Sequence, residues 1–110
     1  ALDAASVSAA LVPGDYRDKL RQADALLVQA RTQVQPDFRP ALIAYTHAIS
    51  LAPQQASVWY SRAVAEAFAG DLTSARADAA HALELDAGYL AAPRLLDALE
   101  SSGASIENTQ

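Results

Sequence analysis

Hydrophobic residues recur every three or four positions over most of the chain, which predicts a series of amphipathic α-helices. The first long segment has apolar residues at successive intervals of four, three, four, three and four: Tyr16, Leu20, Ala23, Leu27, Ala30 and Val34. No segment alternates polar and apolar residues with a period of two, so no strand is predicted. The pattern therefore indicates an all-α fold.

Prolines, glycines and aspartates divide this pattern into separate helices. A weak helix or ordered lead-in over residues 1–12 is expected to end at a turn formed by Pro13 and Gly14. The helices that follow are predicted over about 15–34, 37–52, 56–69, 72–85 and 89–102. Asp15, Asp37 and Asp71 are the expected N-caps. Residues 103–110 are expected to form a flexible tail.

Residues 71–86 repeat a stretch that lies 34 residues earlier in the chain. Five identities share this offset: Asp37, Ala41, His47, Ala48 and Leu51 return as Asp71, Ala75, His81, Ala82 and Leu85. Matched alanines alone would mean little in an alanine-rich chain, but the matched Asp, His and Leu residues add weight. A fixed period of this length is typical of stacked pairs of antiparallel helices.

Residues 56–87 resemble a tetratricopeptide repeat from end to end. The residues that match the motif in this unit are Trp59, Ala63 in the Gly position, Gly70 and Asp71 at the turn, Ala75 and Ala82. The earlier unit matches through Asp37, Ala41, Tyr45, Ala48 and Pro53. The resemblance implies an all-α, short right-handed solenoid of antiparallel helix pairs. Its parts are a lead-in (1–14), a first unit (15–53), a second unit (54–87), a terminal capping helix (88–102) and the tail.

Several positions depart from the family motif, and one departure resembles a common family variant. Arg62 stands where the motif has Leu and Glu66 where it has Tyr. In the variant, this Arg pairs with an Asp of the second helix, which here is Asp78. We therefore predict that Arg62 lies within salt-bridge reach of Asp78 or Glu66. The small residues Ala41, Ala48, Ala63, Ala75 and Ala82 would let helices approach closely, while Trp59 and Tyr45 would fill the wider gaps.

Proteins of this family bind partners in a concave groove lined by the first helix of each pair. The resemblance therefore implies a protein-binding adaptor or scaffold, with a peptide or a partner protein in the groove. The candidate groove residues are Tyr60, Val64, Ala67, Phe68, Arg94, Arg21, Asp24, Val28 and Arg31. The stripe Tyr60, Val64 and Phe68 is equally compatible with burial against the next helix. The alternative function is structural: a segment of a larger solenoid, or a self-associating domain.

The charge distribution narrows the class of partner. The chain has a net charge of −5, and residues 56–110 hold eight acidic residues against Arg62, Arg76 and Arg94. Such a surface repels phosphate backbones, so nucleic acid is not expected as a ligand. No apolar run approaches the length of a membrane span, so no membrane insertion is expected. The chain contains no cysteine, and its compartment stays open.

Candidate chemistry in the sequence is sparse. His47 and His81 occupy equivalent repeat positions, but such positions on packed helices lie about 8–10 Å apart, which disfavours a shared metal ion. We expect both to face solvent. No phosphate-binding loop or catalytic motif is present, and Glu66 is an acid without an evident partner base. The sequence predicts no enzyme activity, no cofactor and no metal site.

Overall fold

A computed structural model of the protein describes residues 2–108, with side chains described for residues 16–101. Five helices form the described chain: α1 (Leu2–Arg31), α2 (Arg39–Leu51), α3 (Ala56–Ala69), α4 (Leu72–Leu85) and α5 (Ala91–Asn108). Residues 2–108 contain no strand. Each helix packs against its neighbour in the chain, so the predicted all-α, helical-repeat-like fold is confirmed.

The α3–α4 hairpin follows its sequence signals closely. Gly70 ends α3 with a φ of 90°, a left-handed conformation that glycine adopts at little cost. The Asp71 side chain then accepts a hydrogen bond of 3.1 Å from the backbone N–H of Ser74, which caps α4. The predicted bounds of both helices and the cap at Asp71 are confirmed.

The predicted turn at Pro13 and Gly14 is wrong, because α1 continues through both residues. The fixed φ of proline is compatible with a helix, although an interior proline costs about 3 kcal/mol, and glycine costs about 1 kcal/mol more than alanine. Pro13 and Gly14 therefore lower the stability of this helix without ending it. Since α1 is already helical before Asp15, this residue is not an N-cap.

The end of α1 also differs from the prediction. The helix stops at Arg31, three residues before Val34, and Val34 is 99% exposed. The backbone N–H of Thr32 donates to the Gln29 carbonyl and that of Gln33 to the Ala30 carbonyl, both at 3.2 Å, so the last turn tightens. Val34 fits the apolar spacing of the sequence, but it lies beyond the end of the helix.

Three further boundaries are shifted. Phe38, not Asp37, is the N-cap of α2, although the Asp37 carboxylate accepts the backbone N–H of Arg39 at 3.1 Å. The start of α5 is Ala91 and not Tyr89, because the Tyr89 N–H donates to the Asp86 carbonyl in a turn. The predicted end of α5 at Ser102 is wrong as well, since helical backbone continues through Gly103 to Asn108. The expected flexible tail includes these helical residues and two that lie outside the described range.

Small side chains lie at the contacts between helices. Ala41, Ala48, Ala63, Ala75 and Ala82 are all fully buried. Tyr45 is buried with Ala23, Leu27, Ala41 and Ala65, a cluster that joins α1, α2 and α3. Ala56, Ala82 and Ala92 make a second contact region that joins α3, α4 and α5. Because alanine leaves backbones free to approach, α3 contacts both α1 and α5 in addition to its neighbours in the chain.

Candidate binding groove

A pocket of about 240 Å³ lies between α1 and α3. Its lining residues come from α1, α2 and α3: Asp24, Leu27, Tyr45, Tyr60, Ser61 and Val64. Three of them, Asp24, Tyr60 and Val64, are among the residues that the sequence predicted for the groove. The pocket is a concave site with apolar walls and a single carboxylate.

A hydrogen bond from Tyr45 to Asp24 closes the floor of this pocket. The Tyr45 hydroxyl donates to Oδ1 of Asp24 at 2.5 Å, which joins α2 to α1. Tyr45 itself is fully buried, and burial, followed by the Asp24 carboxylate, raises the pKa of its phenol. The hydroxyl therefore stays protonated and acts as a donor at any physiological pH, while the exposed Asp24 keeps a second oxygen for other partners.

Beyond the pocket, Arg31 and Phe68 meet across the groove. The Arg31 guanidinium lies 4.2 Å from the centroid of the Phe68 ring, within the range of a cation–π interaction. Phe68 on α3 remains 46% exposed and Val28 on α1 58% exposed, each one helical turn beyond a pocket residue, Val64 and Asp24 respectively. The groove thus continues past the pocket as an exposed apolar strip along α1 and α3.

Tyr60 connects the pocket to the last helix. Its ring meets the Tyr89 ring edge-on, with centroids 5.5 Å apart, just before α5 begins. Burial, with smaller contributions from Tyr60 and Asp86, raises the pKa of Tyr89. This aromatic contact joins the α4–α5 turn to α3.

The remaining predicted groove residues lie outside the pocket. Arg21 is exposed and pairs with Asp18 at 2.5 Å, one turn away on α1. Arg94 is exposed on α5, and Ala67 is half-buried on α3.

The sequence missed the contribution of Tyr45, which it assigned only to helix packing. The signal available was the phenol itself, because a buried tyrosine hydroxyl requires a polar partner.

A polar cluster lies between α3 and α4. Nε and Nη2 of Arg62 donate to the Asp78 carboxylate at 2.7 and 2.9 Å, a bidentate pair. Arg62 is thus within salt-bridge reach of Asp78, as the sequence predicted, and Glu66 is 3.7 Å away. Nη1 of Arg62 also reaches the Thr46 hydroxyl at 3.3 Å, which extends the cluster to α2.

Glu66 is the unusual member of this cluster. Its side chain is 12% exposed, and its Oε1 atom is buried without a hydrogen-bond partner among the described residues. Burial raises the pKa of Glu66 to about 8, the neighbouring Asp78 carboxylate adds to the shift, and Arg62 opposes it. Glu66 therefore holds a proton at neutral pH. The single guanidinium of Arg62 faces two buried carboxyl groups, those of Glu66 and Asp78.

The two histidines have different surroundings, although their repeat positions match. The His81 ring lies 4.2 Å from the Trp59 ring in an edge-on contact, and its Nδ1 is 3.4 Å from Glu84. His81 is half-buried with 40% of its side chain exposed, so it faces solvent only in part, because the large Trp59 ring reaches across to α4. His47 is exposed. Where side chains are described, no group of three or more potential ligands is arranged to hold a metal ion.

No protein-family model and no curated protein matches this sequence. Within residues 2–108, no helix combines the length and the apolar character that a membrane crossing requires. Geometry, exposure and charge on the α1–α3 face are therefore the basis for assigning a function.

Proposed function

We propose that this protein is a tetratricopeptide-like adaptor that binds a peptide or a segment of a partner protein along the groove between α1 and α3. The observation that carries the proposal is the exposed apolar strip of Phe68 and Val28, which continues from a concave pocket. A pocket beside an exposed apolar strip offers both an anchor point and additional contact area for an extended or helical peptide.

The energetics of the strip favour a partner with apolar side chains. Phe68 and Val28 keep about half of their surfaces in water in the isolated chain. Covering apolar surface contributes roughly 25 cal/mol per Å², and a few well-packed aromatic anchors dominate most interfaces. Phe68 is the proposed anchor, because Arg31 already fixes one face of its ring and leaves the rest accessible.

A display library of random dodecamer peptides tests this proposal directly. We expect wild-type protein to enrich a family of peptides that Phe68→Ser no longer captures. Ile43→Ser is the matched control, because Ile43 is a 71% exposed apolar residue on α2 that does not line the pocket. Capture by both variants at the wild-type level, with their folds verified by circular dichroism, would rule out the groove.

Self-association is the second candidate function, and exposed apolar residues outside the groove favour it. Ile43 is 71% and Leu90 65% exposed, on α2 and on the turn before α5. A second copy or a neighbouring segment would cover such residues in an assembly. Light scattering across a concentration series separates the two functions. A monomer at all concentrations supports the adaptor, whereas a dimer that Ile43→Ser dissociates supports assembly.

A further inference from the structure

We propose that the pocket between α1 and α3 accepts a basic side chain, arginine or lysine, from the bound peptide, with the Asp24 carboxylate as its acceptor. This inference rests on the proposed function of the groove and specifies the chemistry of the partner. It places a charged contact in the pocket beside the apolar contact at Phe68.

The pocket carries a negative charge that favours a basic side chain. Asp24 is the charged member of the six side chains that line it. The Tyr45 hydroxyl occupies Oδ1 of Asp24 but donates a neutral hydrogen bond, so the negative charge remains. A guanidinium or an ammonium group beside this exposed carboxylate would form a charge-assisted hydrogen bond with Oδ2.

The apolar and aromatic walls of the pocket suit the stem of a basic side chain. Leu27 and Val64 are apolar, and the half-buried Tyr60 presents an aromatic ring. Arginine and lysine pack their methylene stems along such surfaces while the charged group reaches a polar partner. A cation near the Tyr60 ring would gain a further cation–π contribution. An acidic side chain in the same place would meet the Asp24 carboxylate.

Two basic residues of α1, Arg21 and Arg31, make their contacts with groups other than Asp24. Arg21 pairs with Asp18 at 2.5 Å, and Arg31 rests on the Phe68 ring at 4.2 Å. Arg31 is also two helical turns from Asp24, a rise of about 10 Å. The chain as a whole carries a net charge of −5, which attracts a basic partner over longer distances. Local and overall charge therefore favour the same class of ligand.

Two substitutions separate the charge of Asp24 from its structural contact. Asp24→Asn removes the charge but keeps an oxygen that can accept the Tyr45 hydroxyl. Tyr45→Phe removes that hydrogen bond but keeps the charge and frees Oδ1. We expect Asp24→Asn to abolish a preference for basic residues, and Tyr45→Phe to leave the preference intact.

The test uses the full chain and the random dodecamer library. We expect wild-type protein to select peptides with an arginine or lysine at one fixed position relative to their apolar anchor. The best arginine peptide is then compared with its citrulline counterpart by titration calorimetry; a lysine peptide is compared with its acetyl-lysine counterpart. Loss of the charge should weaken binding to wild type about tenfold and leave binding to Asp24→Asn unchanged.

The possible results distinguish this inference from the proposed function. A basic preference that disappears in Asp24→Asn supports the inference. Phe68-dependent peptides without a basic preference, or with one that persists in Asp24→Asn, overturn the inference and leave the groove in place. Selection of no Phe68-dependent peptides overturns both.

Discussion

The two helix pairs, α1–α2 and α3–α4, both pack on small residues but place their polar links differently. In α3–α4 the link is a bidentate pair between Arg62 and Asp78, with Asp78 buried. In α1–α2 the link is the Tyr45–Asp24 hydrogen bond, and its acceptor lies on the exposed rim of the pocket. Gly70 and Asp71 alone connect the second pair, whereas residues 32–38 connect the first.

This difference indicates a division of roles between the pairs. Breaking a buried ion pair lowers the stability of the fold, and its charged groups are not accessible to a partner protein. The α3–α4 link therefore acts on stability. The acceptor of the α1–α2 link, Asp24, is exposed and lines the pocket, so this link can act on binding. Substitutions at the two links should therefore have different consequences.

The largest effect is expected for Arg62→Met, which leaves the buried Asp78 without its counter-charge. We expect the free energy of unfolding to fall by about 3 kcal/mol in urea titrations, as for other buried pairs that lose one partner. The double variant Arg62→Met with Asp78→Leu should recover most of this loss, because the uncompensated charge is gone. A loss well under 1 kcal/mol in the single variant would mean that the pair does not stabilise the hairpin.

The next effect, smaller for each pH unit, is a pH dependence of stability that originates in α3–α4. An unfolded glutamic acid loses its proton near pH 4.5, whereas the folded chain holds it on Glu66 up to about pH 8. The folded state therefore binds more protons in this window, and its stability falls as the pH rises, by up to about 1.4 kcal/mol per pH unit.

Urea titrations between pH 5 and pH 8 measure this slope, with Glu66→Gln as the control. The glutamine cannot ionise, so the variant should lack the contribution of Glu66 and lose less stability than wild type as the pH rises. The carboxyls whose pKa values are lowered, those of Asp37 and Asp71, act at lower pH, outside this window. Equal slopes for wild type and variant would show that Glu66 is ionised at neutral pH.

Tyr45→Phe should have a smaller effect on stability, since it removes one hydrogen bond between α1 and α2. We expect a loss of about 1 kcal/mol by urea titration. Tyr60→Phe is the matched control, because the contact of Tyr60 with Tyr89 is made by its ring. A loss from Tyr60→Phe as large as that from Tyr45→Phe would argue that the Asp24 link contributes nothing specific.

The smallest effects should come from the residues that precede the second helix of each pair. Asp71→Ala should lower the thermal midpoint more than Asp37→Ala, because Asp71 caps α4 whereas Asp37 precedes the N-cap of α2. The hydrogen bond from Ser74 lowers the pKa of Asp71, so its capping contribution is lost as the pH falls through that lowered pKa. Thermal melts by circular dichroism should show the difference at neutral pH and its decrease in acid.

The sequence was informative where local chemistry decides the structure. Gly70 and Asp71 set the α3–α4 turn, and the repeat offset located both helices of that pair. It failed at Pro13 and Gly14, where a local turn signal was outweighed by continuation of α1.

The pocket was only partly predictable. Helical spacing identified Tyr60, Val64 and Asp24, but the participation of Tyr45 depends on a contact between residues far apart in the chain. The half-burial of His81 likewise depends on the reach of the Trp59 ring from another helix. Spacing along one helix gives the face on which a residue lies but not its neighbours across the groove.

Chemical-shift mapping with a peptide selected from the dodecamer library tests the central claim, binding between α1 and α3, most directly. Titration of the labelled protein should shift the amide signals of Asp24, Tyr60 and Phe68, while the signal of Ile43 on α2 stays in place. Shifts concentrated around Ile43 and Leu90, with the α1–α3 face unchanged, would contradict the account.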